Sequence, residues 1–130
     1  MPSMADITVK DAANADVVYV AASPSAGDKT PARWRLNAAS AIIGQRPDFS
    51  VVTRDNGQKN GRHITLSMRF PIVETVNGIP TVVAIVPLTT EGVLPTNVSS
   101  AKVADGFLQY GNLLASTLIR SVSSEGYAPT

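Results

Sequence analysis

His63 is the one histidine of this sequence, and there is no cysteine. Zinc or iron sites of ordinary composition need three or four such ligands, so no metal site is expected. Several acids, Asp11, Asp16, Asp28 and Asp55 among them, fall in turn-like stretches, where carboxylates ordinarily bond the local backbone. No nucleophile elbow, phosphate-binding loop or dinucleotide fingerprint occurs. DNGQKNG (55–61) is glycine-rich, but it joins two strand-like segments instead of opening a helix. The sequence therefore argues against an enzyme and implies no cofactor and no small-molecule substrate. What it does offer is cations and hydroxyls at a spacing of two. In RHITLSMRF (62–70), Ile64, Leu66, Met68 and Phe70 fall on one side of a strand, and His63, Thr65, Ser67 and Arg69 on the other.

The charge distribution sharpens that pattern. The formal net charge is +1, yet residues 29–69 hold eight Lys and Arg against Asp48 and Asp55, giving +6, and the remainder sums to −5. A basic middle on a nearly neutral chain is an electrostatic footprint for a polyanion. If 48–54 and 62–70 pair across the 55–61 loop, Arg54 opposes His63, Val52 opposes Thr65 and Ser50 opposes Ser67, all on one face with Arg69. Phe49, Val51, Ile64 and Leu66 share the other face. That register satisfies both strands at once. The free face reads as short hydroxyl donors flanked by cations, without acids, and suits phosphates and exposed bases of structured RNA. It lacks the aromatic residues on which bases usually stack.

The elements that must hold this face follow from length and periodicity. A chain of 130 residues is one domain by length. Aromatics make up only 5%, so the core must come from Val, Ile, Leu and Ala. The start, MPSMADITVKD, has no basic segment followed by an apolar run, so no leader is expected. The longest apolar stretch, Val82 to Leu88, is too short to span a bilayer, and no membrane partner is expected. ITVKDA (7–12) and DVVYVAA (16–22) read as strands around a turn at Ala13–Asn14. ARWRLNAASAII (32–43) is ambiguous, with a strand-like start. DFSVVTR (48–54) is a strand. Residues 62–76 form a long strand interrupted at Pro71, Asn77–Gly78 is a hairpin turn, and 79–94 is the last strand, with Pro87 marking a bulge or a one-sided partner.

After residue 97 the period changes to helical, with Val103, Phe107, Tyr110, Leu114 and Leu118 in register and Ser99 or Ser100 as N-cap. Gly111 and Asn112 suggest two helices or one kinked helix, and Gly126 ends the regular structure. Leu108, Leu113 and Ile119 lie off the main stripe, so the helices need a second apolar partner. The economical arrangement is a dimer in which each chain's helices lie on the other's sheet. The fold class is α+β: an N-terminal β-hairpin and antiparallel sheet over about 7–94, then two α-helices over about 98–123, in an intertwined dimer.

With those elements in place the chain resembles the coat proteins of single-stranded RNA bacteriophages. The resemblance rests on the length, the N-terminal hairpin, the lone tryptophan in ARWRL, the arginine-bearing hairpin SVVTRDNGQKNGRHITLSMRFP, the VNGIP loop and two C-terminal helices ending in EGYAP. It implies an intertwined homodimer, an icosahedral shell built from dimers, and an inner sheet face that binds hairpins of single-stranded viral RNA for packaging and for translational repression of the replicase. It also implies a place in the virion after synthesis in the bacterial host cytoplasm. The family's RNA-facing positions fall on Ser50, Val52, Arg54, His63, Thr65, Ser67 and Arg69, and on the next strand near Pro87 and Thr89, where there is no aromatic. A plain two-residue turn at Asn77–Gly78 places Thr89 on the core side, whereas alignment with the family places it on the RNA side. The alternative reading is a small homodimeric RNA-binding regulator that forms no shell.

Overall fold

In a computed structural model that describes residues 2–55, 57–58 and 60–130, the chain up to Leu94 is a six-stranded antiparallel meander. The strands β1 (Ile7–Lys10), β2 (Asp16–Ser23), β3 (Ala32–Arg35), β4 (Asp48–Asp55), β5 (Gly61–Val76) and β6 (Ile79–Pro95) lie side by side in sequence order. Two helices follow, α1 (Ser100–Leu114) and α2 (Thr117–Glu125). The α+β class and the strand-then-helix order expected from the sequence are what the structure has.

Local chemistry accounts for the turns. Asp11 accepts hydrogen bonds on Oδ1 from the amides of Ala13 and Ala15, both 2.9 Å, which folds the β1–β2 connection as an Asx-type turn. Asn77 and Gly78 both have positive φ, 53° and 77°, the pair of angles that a two-residue hairpin turn of the mirror-image type requires. The ambiguous segment after ARWR is not strand. It holds two single-turn 3₁₀ helices, Asn37–Ala39 and Ile43–Gln45, fastened by side chains. Arg46 donates to the carbonyls of Ser40 and Ala41 and to Asn37 Oδ1, and buried Gln45 donates to the Pro80 carbonyl at 3.1 Å.

The expected break at Pro71 is absent, since β5 runs unbroken from Gly61 to Val76. The last β4–β5 rung is Asp48–Arg69, so Pro71 lies beyond the point where β5 has a neighbour on the β4 side. An N–H missing from that side removes no ladder bond. Pro87 likewise sits within the continuous β6, the last strand of the sheet.

Pairing defines two faces. The rows Trp34–Phe49–Met68 and Ala32–Val51–Leu66, with Ile64 opposite Thr53, make the apolar one. Trp34 and Phe49 rings are 5.7 Å apart and tilted by 42°, and the indole N–H donates to the Ala5 carbonyl at 2.8 Å. These side chains are only half-buried, and Tyr19 is the one buried large apolar residue among those described, its phenol pKa raised by that burial.

The chain divides into two compact units, Met1–Leu94 and Pro95–Thr130. In the second, α1 starts after Ser99, whose side chain makes no cap bond, and Gly126 closes α2 in the left-handed conformation at φ 80°. The helix break falls at Ala115–Ser116, not at Gly111–Asn112. Neither helix buries a residue: Phe107 is 41% exposed, Leu108 63%, Leu113 62% and Leu118 61%.

Candidate nucleic-acid interface

The face opposite Trp34 and Phe49 is built by four strands, β3 to β6. β4 and β5 pair over eight rungs, and Ser50–Ser67, Val52–Thr65 and Arg54–His63 are opposite one another, in the register expected from the sequence. The strands alternate, so these six side chains and Arg69 emerge on one side. Ser50, Val52, His63, Thr65, Ser67 and Arg69 are half-buried, and Arg54 is exposed.

Thr89 depends on β6. A two-residue turn pairs Val76 with Ile79, and unbroken alternation from there would put Thr89 on the apolar face. A Cβ built on Gly92 would lie 3.9 Å from Ile64 Cγ2, so position 92 is on the apolar side. From Thr90 to Leu94, half-buried and exposed residues alternate, with Thr90, Gly92 and Leu94 inward. Thr89 is therefore on the polar face, where it borders the same hollow as Ser50 and Ser67. The parity change requires an irregularity in the β5–β6 ladder between the turn and Thr90, an interval that contains Pro71 and Pro87.

Sequence reasoning missed the contribution of β3. The rungs Arg33–Ser50 and Arg35–Asp48 put two more guanidiniums on the polar face. They also correct the expectation of a face free of acids. Asp48 lies opposite both Arg35 and Arg69, on the side of Ser50, and accepts from Arg35 Nε at 2.9 Å. The signal was present in ARWR, whose two arginines alternate around the tryptophan, but it had no meaning until the β3–β4 register was known.

Not every cation of the basic middle faces this way. Arg62 emerges with Ile64 on the other side and is shared between Asp28 and Asp55. Its hydrogen bonds hold the Asp28 carboxyl below its ordinary pKa, with the guanidinium charge adding to the effect. The same bonds raise the already high pKa of Arg62. Arg46 is spent on its own loop. Lys59, counted in the basic stretch, and Asn56 lie outside the described residues. On the polar face, Arg33, Arg54 and Arg69 have no ion-pair partner among the described residues. No group of three or more metal-binding side chains occurs among the described residues, and no helix is long and apolar enough to cross a membrane.

What the face offers is a row of hydroxyls at the pitch of a β-ladder, with guanidiniums at either end and a hollow of about 250 Å³ over the Ser50–Ser67 row. Guanidiniums suit phosphates and hydroxyls suit sugar and base edges.

No protein-family model matches the chain, and no curated protein matches it. Solved structures do. The virus-like particle of Beihai levi-like virus 21 aligns over 99% of this chain and 99% of its own, at 18% identity and a TM-score of 0.80. The virus-like particle of bacteriophage ESE058 aligns over 99% and 100%, at 21% identity and 0.76. The bacteriophage GA capsid protein aligns over 95% of each chain, at 18% identity and 0.72. The resemblance drawn from ARWRL, the arginine-bearing hairpin and the C-terminal helices is thus matched in three dimensions over almost the whole chain, and the protein has the coat-protein fold of the RNA bacteriophages.

Proposed function

We propose that this protein is a capsid subunit that forms homodimers, assembles them into an icosahedral shell, and binds hairpins of its single-stranded RNA genome on the polar face of the sheet. The observation that carries the reading is the register of β4 and β5, which gathers Ser50, Arg54, His63, Thr65, Ser67 and Arg69 on one face of a fold otherwise found in virus-like particles. Val52 and Thr89 complete the face. RNA bound there serves packaging, and binding a hairpin at the replicase start would repress its translation. The virion is then where the protein resides, after synthesis in the host cytoplasm.

The surface of each unit supports the dimer: the Trp34–Phe49 face of the sheet is only half-buried, and Leu108, Leu113 and Leu118 of the helices are exposed. Strand β6 adds a second argument. It is a 17-residue edge strand whose one charged residue is Glu91, and long edges of that kind pair with another chain unless they are blocked. A partner strand at β6 would continue the sheet, and partner helices would cover the Trp34–Phe49 face, making one folding unit of the whole chain.

Electron microscopy of the purified recombinant protein tests the shell: uniform closed particles are expected. Dimers that never close into shells would favour the small RNA-binding regulator instead. Salt-dependent binding to RNA hairpins tests the face: Arg54→Ala is expected to weaken binding to every hairpin alike. Wild-type affinity in that variant would remove the polar face from the proposal.

A further inference from the structure

An acid on a surface offered to RNA needs a reason. Asp48 occupies the middle of the row Arg35–Asp48–Arg69, on the face and beside the hollow already described. Its side chain is 38% exposed, and among the described residues its carboxylate accepts one hydrogen bond, from Arg35 Nε to Oδ1. An ion pair as exposed as this contributes little to stability. A carboxylate offers about four lone-pair sites, so most of its accepting capacity is open to a ligand.

We infer that Asp48, with Arg69 and Arg33, forms a seat for one unpaired guanine of the RNA, an inference that rests on the proposed RNA-binding role of this face. The argument is one of matching edges. The exposed Watson–Crick edge of guanine runs acceptor, donor, donor: the O6 carbonyl, N1–H and the exocyclic amino group. The row beside the hollow runs donor, acceptor, acceptor: the Arg69 guanidinium, then the two oxygens of Asp48. Cytosine and adenine bring one amino donor next to an acceptor, which would face the second carboxylate oxygen. Uracil brings one N–H between two carbonyls, and a carbonyl against Asp48 is repelled. Bases of single-stranded RNA are read on this edge when splayed out of their stack. The hollow, about 250 Å³, is below the ~300 Å³ at which pockets for drug-sized ligands begin, so it suits one nucleotide rather than a length of strand.

The remaining groups take the rest of the nucleotide. Arg33 is exposed one rung away, opposite Ser50, and meets the phosphate. Ser50 and Ser67 face each other beneath it and donate to the ribose. Arg35, through its Nε–H bond to Oδ1, holds the Asp48 carboxylate in place without itself contacting the base.

The test uses the full-length protein in whatever assembly it forms, and short uracil-rich single strands carrying one central guanine, adenine, cytosine or uracil. The parent is expected to prefer the guanine strand over the all-uracil strand by roughly tenfold, the scale of one well-matched polar contact to a base edge. Asp48→Asn keeps the shape but turns a donor toward N1–H, and is expected to level the four affinities while leaving sedimentation unchanged. Arg33→Ala is expected to weaken all four strands together and to flatten the salt dependence by about one unit of log–log slope. If Asp48→Ala is needed because the asparagine variant misfolds, the same levelling is expected. A parent without guanine preference, or a guanine preference that survives loss of the carboxylate, overturns the seat. If Arg54→Ala still lowers affinity for all strands in that case, RNA binding by the face stands and only the guanine seat falls. If the parent binds none of the strands at any salt concentration, the seat falls, and the hairpin-binding role is judged separately by the Arg54→Ala hairpin titration.

Discussion

The β4–β5 hairpin and the helical unit solve the same problem in opposite ways. In the hairpin, eight rungs fix which residues face each other, and a shift by one would exchange every apolar and polar position. The information needed to place Ser67 beside Ser50 is inside the chain. In the helices, the backbone is satisfied within each segment, and several hydroxyls turn inward on it: Ser116 donates to the Leu113 carbonyl, Ser121 to Thr117, Ser123 to Arg120 and Ser124 to Ser121. None of their apolar side chains is fully buried, and Leu108, Leu113 and Leu118 are more than half exposed. One region is specified by hydrogen bonds it makes with itself, and the other by apolar surface it must place elsewhere. Mutations should therefore separate shape from association.

The largest effect is expected at Leu114, half-exposed in the single chain. Leu114→Asp would bury an unpaired carboxylate at the proposed subunit contact, a penalty of several kcal/mol. Sedimentation should show monomer or aggregate, and a normally stable dimer would break the contrast between the two regions. Next comes Phe49→Ala, which removes the ring beside Trp34. With the face covered by a partner, the loss should approach ~3 kcal/mol, the lower end for a buried phenylalanine, and without a cover it should be well below that. Denaturant unfolding followed by the fluorescence of Trp34 measures it. Thr65→Val and Arg54→Ala, on the other face, should leave that unfolding curve within ~0.5 kcal/mol of the parent, as surface changes usually do. Thr65→Val should instead alter preference among hairpins.

Two further changes bear on the ends of the hairpins. Gly78 holds φ 77°, so Gly78→Val strains the Asn77–Gly78 turn, by about 1–2 kcal/mol for a side chain forced left-handed. Insertion of two residues after Asn77 should leave dimers intact and make particles irregular under the microscope, if the VNGIP loop contacts neighbouring dimers as the resemblance to the phage coat proteins implies. The smallest effect belongs to Asp28. Its carboxyl titrates below the unfolded value of ~3.9. The pair with Arg62 therefore contributes fully above that value and is lost as pH falls through the folded one. Asp28→Asn should be slightly less stable than the parent at neutral pH and converge with it in acid, as followed by thermal unfolding across pH.

The sequence was most legible where alternation and turn residues agreed. The 62–70 alternation and the 55–61 loop were enough to pair Ser50 with Ser67 and Arg54 with His63. Less could be read where a segment's partners are remote. ARWR carried Arg33 and Arg35 in plain view, yet only the β3–β4 register puts them beside Ser50 and Asp48. The same register revealed the acid on the polar face, since Asp48 stands at the end of its strand, where periodicity says least. Thr89 was ambiguous for a physical reason as well: a single irregularity in a long ladder reverses the face of everything after it, and no local signal fixes where it sits.

Strand β6 leaves a consequence for how association ends. The far edge of the sheet is β1, four residues long, with Lys10 tied to Asp16 of β2, a short and charged border that recruits poorly. The sheet thus has one adhesive border and one blunt one. If two copies meet at β6 about a two-fold axis, as proposed, each consumes the other's adhesive border, and the joined sheet is blunt at both ends. Growth by strand addition would then stop at two. A capsid subunit would in this way carry a long unprotected strand without seeding fibres, and any further assembly would use surfaces other than hydrogen-bonded edges.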